Sequence, residues 1–316
     1  MTLDAYDTIF ENFKAATASD WKNKIIKDLK DVPFDNLIVH TNEGFDILPF
    51  YTKEDNQKYQ LAIPAKTTTA WQIAERIIVH DVKVSNAESL LSLQNGANAI
   101  VFNLQNKSFS LEEINQLLHD IQVDIVTITF EDFQIDNKTI LESKVANSCA
   151  VKIYVEDNSS IVAQLVNALQ QAETINSHCF HFYVGKNYFF EIAKIRAFRW
   201  LWKQLCELRN EPNQLFIQCE TSLEYIDAAD EYTNMLRNTT AAMSAIIGGC
   251  DGLLINSHDC KSTHTIFGKR IARNIHHILQ YESYFNELND AAKGSYYIEY
   301  LTYQFCKESW NKYNHK

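Results

Sequence analysis

Carboxylates close several of the apolar runs in this 316-residue chain. Glu131-Asp132 and Glu156-Asp157 follow two of them, Glu220-Thr221-Ser222 a third, and Ser257-His258-Asp259-Cys260 a fourth. Carboxylate pairs can hold a divalent cation or work as an acid/base pair. Solvated loop ends account for such residues more often, so these four carboxylates are candidates only. Ser257, His258 and Asp259 are consecutive, whereas a catalytic triad converges from separate segments. A polar loop is the expected reading there, for His258 with Cys260 as metal ligands as well as for a nucleophile. In His178-Cys179-Phe180-His181, strand alternation puts Cys179 and His181 on one face and His178 on the other, which divides any three-ligand set. His276-His277 lie in a helical stretch with no acidic or cysteine neighbour one turn away, so one core and one surface histidine are expected. Trp200 and Trp202, two apart on a helix, point to different sides.

The elements that must carry these residues are legible from composition and period. With 40 acidic and 29 basic residues the formal charge is −11, which argues against non-specific nucleic-acid or anionic-membrane binding. Hydrophobic content of 46% is that of a globular protein. Eight glycines and four prolines leave little material for a glycine-rich phosphate loop. No basic leader and no span of about 20 apolar residues is present, so a cytoplasmic protein is expected. Its seven cysteines, scattered and odd in number, are expected to be reduced and mostly buried.

Three of the prolines fall at 33, 49 and 64, which divides the chain into an arm over 1–64 and a main domain over 65–316. Residues 7–30 have a helical period, and 36–64 read as an extended arm that packs on the main domain or on a partner. From residue 70 short apolar runs alternate with helical patterns. The runs are Trp71–Ile78, Ala99–Leu104, Asp124–Phe130, Cys149–Val155, Cys179–Val184, Leu215–Cys219, Gly252–Asn256 and Ser295–Tyr300. Helices are expected over Leu111–Leu118, Ile161–Glu173, Phe189–Leu208, Asp230–Ile247 and Arg270–Tyr281. Strands apolar on both faces suit a parallel sheet under helices. Eight of them predict an α/β fold, a (β/α)8 TIM-type barrel, with an open doubly wound sheet as the alternative.

Several stretches carry more than a pattern. Asn187–Trp202 (NYFFEIAKIRAFRWLW) resembles a signature of the methylmalonyl-CoA mutase family, as does Asp230–Asp251. Arg270–Asn274 with Gln280, Glu282 and Ser283 is similar to the next block of that family, and Gly294–Thr302 to the block that closes its barrel. At the N-terminus, Trp21 with Lys27-Asp28-Leu29, Thr41–Gly44, Pro49–Tyr51 and Glu54-Asp55 look more like the family's small, non-catalytic chain. The resemblance implies a barrel that threads coenzyme A along its axis, with adenosylcobalamin clamped on top by a separate C-terminal domain. It implies the interconversion of methylmalonyl-CoA and succinyl-CoA, and in some members a pairing of a catalytic large chain with a small one.

Three departures from the catalytic pattern follow from the resemblance. The family's Asp-x-His-x-x-Gly, carried by a cobalamin domain after the barrel, is nowhere in the sequence. The section between about 130 and 178, which normally supplies a Gln, an Arg and a His, is short. Ser177-His178-Cys179 and Gln218-Cys219-Glu220 stand where the large chain has Arg-x-Ser and His-x-Gln. A carboxylate at 220 would repel an anionic acyl-CoA. Strands rich in Ile, Phe, Tyr and Val suggest a filled barrel.

The expectation is therefore a non-catalytic small subunit of a heterodimeric mutase. It would carry no catalytic, cofactor or metal residue of its own, and adenosylcobalamin would sit in the partner large chain. The arm supplies much of the interface, and the chain forms a homodimer when alone. The alternatives are a stand-alone barrel enzyme using Glu131, Asp132, Glu156, His258 or Asp259, and a free-standing acyl-CoA-binding protein.

Overall fold

β-branched and aromatic residues dominate the runs read as strands, and several are followed by a helix that starts at a side-chain cap. That alternation builds a parallel sheet under helices. The computed structural model describes residues 16–134, 152–155, 159–175, 177–262 and 265–315. An arm comes first: α1 (Ala18–Leu29), a 3-10 turn (Phe34–Leu37), an antiparallel pair β1 (Val39–His40) and β2 (Asp46–Ile47), and α2 (Lys53–Tyr59). Seven parallel strands follow: β3 (Gln72–Ile78), β4 (Ala99–Asn103), β5 (Thr127–Glu131), β6 (Ile153–Val155), β7 (Cys179–Val184), β8 (Phe216–Thr221) and β9 (Gly252–Leu254). Helices α3 (Val82–Gln94), α4 (Leu111–Leu117), α5 (Ile161–Thr174), α6 (Tyr188–Arg209), α7 (Glu231–Gly248), α8 (Ile266–His277) and α9 (Tyr296–Asn314) lie against them.

The strand order is β5-β4-β3-β9-β8-β7-β6, which is the cyclic order of a (β/α) barrel. No ladder joins the edge strands β5 and β6 among the described residues. The sheet nevertheless curls until its ends meet, because Tyr154 Oη of β6 donates to Glu131 Oε1 of β5 at 2.8 Å. The barrel-type α/β class is the one expected from the alternation.

Two expected elements differ. Residues 295–300 begin α9 rather than an eighth strand. Ile298, Leu301, Thr302, Phe305, Cys306 and Ser309 are buried at helical spacing, so the 3.6-residue period overrides the β preference of the aromatic and β-branched residues. Within 36–64, α2 interrupts what read as extended chain. Thr52 N–H and Oγ1 both donate to the Asp55 carboxylate, and that cap starts a helix whose apolar period is too short to show. The helix expected over 7–30 appears as α1, started by a reciprocal Thr17–Asp20 capping box. Residues 7–15 lie outside the described residues.

Alternation along the strands separates two environments. Ile77, Ile100, Phe102, Ile128 and Phe130 point outward and pack with Ile114 and Leu117 of α4. Ile153, Val155, Phe180, Phe182, Val184, Ile217 and Leu253 also point outward, into a core with α5, α6, α7 and α9. The inward set is different: Ala74, Ala99, Val101 and Leu254 form a small apolar layer of their own, below Arg76, Glu131 and Glu220. The large apolar residues thus serve the helix interface, and the expectation that they fill the barrel axis is corrected. Five cysteines (206, 219, 250, 260, 306) are free thiols, four of them buried. Cys179 is disulfide-bonded, contrary to the expected reduced state, and Cys149 lies outside the described residues.

The arm seats on the barrel wall through Glu43. Its Oε1 and Oε2 accept from Ile161 N–H and Val162 N–H at the start of α5, both at 2.9 Å. These are unpaired donors of a helix N-terminus, where a carboxylate is favoured. Phe45 packs edge-on against Phe305 and Tyr300, and Tyr51 stacks on Tyr297.

Candidate functional site at the barrel mouth

The C-terminal strand ends open into a cleft of about 700 Å3. Inward positions at the ends of β3, β5, β6, β7 and β8 bring Arg76, Glu131, Tyr154, Tyr183 and Glu220 to its lining. Arg76 holds the centre. Its Nη1 and Nη2 donate to Glu220 Oε1 and Oε2 at 2.7 and 2.6 Å, a fork-to-fork pair. Its Nε donates to Glu131 Oε2 at 2.9 Å. Glu220 also accepts from Asn256 Nδ2 at 2.9 Å, and His181 Nε2 stands 3.0 Å from Glu220 Oε2. The His181 approach is an ion-pair distance without the alignment of a good hydrogen bond.

The electrostatics follow from these contacts. Burial alone would raise both carboxyls, but the Arg76 guanidinium holds Glu131 and Glu220 below the usual carboxylate range. The two carboxylates in turn keep Arg76 protonated against its own burial. Burial pushes the Tyr154 phenol up, and the Glu131 charge pushes it further. Lys152, at the start of β6, is lowered to about 8 by burial, with Glu131 and Glu220 acting against that shift. Neither glutamate is therefore a proton donor near neutral pH, and Arg76 is engaged on both sides. The mouth is an internally paired cluster, one guanidinium shared by two carboxylates.

The other candidates fall elsewhere. Asp132 accepts from Asn103 Nδ2 at 2.7 Å, at the cleft rim. Glu156 and Asp157 lie outside the described residues. Asp259 holds Thr265, the N-cap of α8: its Oδ2 accepts from Thr265 N–H at 2.8 Å, and Thr265 Oγ1 accepts from Gly268 N–H at 3.0 Å. His258 is buried, edge-on to Phe267, and its carbonyl accepts from Asn234 Nδ2 at 2.9 Å. The Ser257–Cys260 segment is thus a helix-entry turn rather than a triad. His178 is exposed while Cys179 and His181 are buried. His276 is buried and accepts from Trp71 Nε1 at 3.1 Å, and His277 is half-buried. Trp202 reaches the core against Phe180, and its Nε1 donates to the Gln214 carbonyl at 2.7 Å. No group of three His, Cys, Asp or Glu side chains suits a metal ion among the described residues.

The residues that organise the mouth beside its two glutamates, Arg76 and Tyr154, carry no motif. The available signal was a charge inside an apolar strand run, Gln-Ile-Ala-Glu-Arg-Ile-Ile-Val, since a buried arginine needs partners. Glu220 itself is paired with Arg76, a contact that the strand pattern alone does not show.

The signature helix has a different role. On α6, Lys194 Nζ donates to the Tyr183 carbonyl at 2.7 Å. Arg196 binds Asp290 and Glu299. Arg199 holds the Gly249 carbonyl and Asp251 beyond the C-terminus of α7. Asn234 and Asn238 of α7 bind the Asp227, His258 and Asn256 carbonyls in the loops above the strands. These blocks clamp helices and loops around the barrel.

A curled parallel sheet with its polar cluster at the strand C-termini defines a (β/α)-barrel protein. Residues 154–315 match the methylmalonyl-CoA mutase family, and the chain belongs to that family. It is 27% identical to the methylmalonyl-CoA mutase small subunit of Porphyromonas gingivalis, over 96% of this chain and 63% of that one. A probable methylmalonyl-CoA mutase small subunit of Mycobacterium tuberculosis is 31% identical over 46% of this chain and 25% of its own length. The methylmalonyl-CoA mutase of Rhizobium meliloti is 37% identical over 47% of this chain and 22% of its own length. The chain thus spans less than two thirds of each of these relatives. The family's cobalamin does not fit the described mouth. His181 is turned onto Glu220, His258 is packed on Phe267, and Arg76 has no free face for an anionic group. No helix among the described residues is long and apolar enough to cross a membrane.

Proposed function

We propose that this chain is the small, non-catalytic subunit of a heterodimeric methylmalonyl-CoA mutase. The carrying observation is the closed Arg76–Glu131–Glu220 cluster. A barrel that threads an acyl-CoA needs free cations and an open axis, and here the mouth's guanidinium is held by its own carboxylates. The partner large chain would bind adenosylcobalamin and interconvert methylmalonyl-CoA and succinyl-CoA, in the cytoplasm and in propionate metabolism. This chain would stabilise it.

The arm, taken as residues 1–64 against a barrel domain of 65–316, is the proposed contact. Helix α1 buries no residue and exposes Trp21 and Ile26, and Val32, Val39 and Leu48 continue the apolar surface. A twelve-residue helix is marginal in water without tertiary packing. Among the described residues its ring contacts are few: Trp21 is edge-on to Phe50, and Lys22 Nζ lies 4.9 Å from the Phe34 ring centroid. A large chain laid on this face would bury it.

Co-expression of the tagged chain with a full-length catalytic mutase chain, followed by size exclusion, tests the reading. A 1:1 complex active with adenosylcobalamin, beside an inactive lone chain, is expected. A lone chain that stays apart, self-associated or not, and leaves the large chain's activity unchanged overturns it.

A further inference from the structure

Beside the mouth a second groove of about 680 Å3 runs between the ends of β7 and β8 and the flank of α7. Lys186, Arg237 and Lys261 line it from three separate segments. Among the described residues, none of the three has a carboxylate at ion-pair distance, whereas Lys194, Arg196, Arg199, Lys269 and Arg273 each do. Glu224 and Asp227 share the lining, and Asp227 Oδ1 is occupied by the Ala229 N–H at 2.9 Å. Three cations against two carboxylates line the groove, and Asp230, just outside the lining, is the further carboxylate that feels the Arg237 charge.

Arg237 is held for use. Its Nη1 donates to Asn234 Oδ1 at 2.7 Å, and Asn234 is fully buried, its amide fixed by the Asp227 and His258 carbonyls. That single contact orients the guanidinium and leaves most of its five donors for a ligand. Tyr225 forms another wall. A Cβ at Gly185 would lie 2.3 Å from its ring, so the absence of a side chain there lets the ring settle on the strand end. Lys186 Nζ stands 5.2 Å from the ring centroid.

We propose that this groove binds a phosphate-bearing small molecule of nucleotide size, with its phosphates on Arg237 and Lys261 and its planar part against Tyr225. The groove has the volume of a small-ligand pocket. A phosphate is the anion that a forked guanidinium and two ammonium groups neutralise together. This goes beyond the small-subunit reading and does not require the large chain.

Calorimetric titration of the full chain with pyrophosphate and with ADP tests it, with adenosine as the phosphate-free control. Both phosphates are expected to bind, more weakly as salt rises, and adenosine at least about tenfold more weakly than ADP. Arg237→Gln should weaken both by about tenfold. Lys261→Gln, at an exposed position that cannot disturb the fold, should weaken both by a few-fold. Tyr225→Ala should weaken ADP and spare pyrophosphate. Lys203→Gln, on an outer helix face, should change nothing. No binding of either probe at millimolar concentration, or binding by the Lys261→Gln and Arg237→Gln proteins as tight as by the unaltered chain, overturns the proposal.

Discussion

Arg76 and Arg196 are each ligated by two carboxylates, yet they stand in different surroundings. Arg196 is wedged between helices, with Glu299 fully buried beside it, Asp290 closing the outer side and Thr302 Oγ1 accepting at 3.1 Å. Arg76 faces the 700 Å3 cleft, and its carboxylates keep other partners, Asn256 and His181 on Glu220 and Tyr154 on Glu131. The first lies in a family block and locks α6 to α9. The second lies outside any block and ties the end of β3 to those of β5 and β8. The same ion-pair chemistry therefore joins helices in one place and strand ends beside a cleft in the other, and only the surroundings tell them apart.

The sharpest way to break this contrast is to remove each guanidinium. Arg196→Ala leaves Glu299 buried and without its cation, and a loss of about 3–5 kcal/mol in urea denaturation is expected. Arg76→Ala should cost less, about 2–3 kcal/mol, because cleft water and the remaining donors still reach Glu131 and Glu220. Adding Glu131→Gln and Glu220→Gln to Arg76→Ala should restore most of that stability, since the unpaired charges go with the arginine. Equal losses for the two single variants would mean that the cleft gives the mouth cluster no relief.

The smallest effect is one of pH, and it sharpens the contrast by leaving both arginine clusters out. His276 is lowered to about 3 by burial, aided by His277 and Arg273, against an ordinary 6.5. Between those values the unfolded chain binds a proton that the folded chain refuses, so stability falls as pH falls through 6.5 and continues to fall to about 3. Protonation would also remove the ring acceptor that Trp71 Nε1 uses. The mouth glutamates, whose values are depressed from an ordinary 4.5, keep their full contribution from pH 7 to 5 and begin to lose it only as pH falls below 4.5. Denaturation at pH 7, 6 and 5 should show a slope approaching about 1.4 kcal/mol per unit below pH 6. His276→Gln, which keeps an acceptor for Trp71, should flatten it.

Much of the framework was legible because it rests on local chemistry. Outward Ile and Phe at every second position, followed by Ser110, Ser160, Asp230 or Thr265 at helix starts, announce strand and helix without any tertiary information. The His178/His181 split and the unequal pair His276 and His277 were readable for the same reason. The run at 295–300 misled because six residues of aromatic and β-branched character cannot tell a strand from the first turn of a long helix. Only the burial of Phe305 and Ser309 downstream decides it.

The mouth was illegible for a different reason. Arg76, Glu131 and Glu220 are separated by 55 and 144 positions in their contacts to Arg76, and no spacing rule spans such distances. By itself the sequence determined which residues alternate, where helices start and that the chain carries the family's blocks. The curl of the sheet decided the rest. It turns the inward residues of β3, β5 and β8 toward one axis and brings β6 round to β5. Charges that look like independent loop-end carboxylates then share one arginine, because a buried carboxylate is stable only where a cation can reach it.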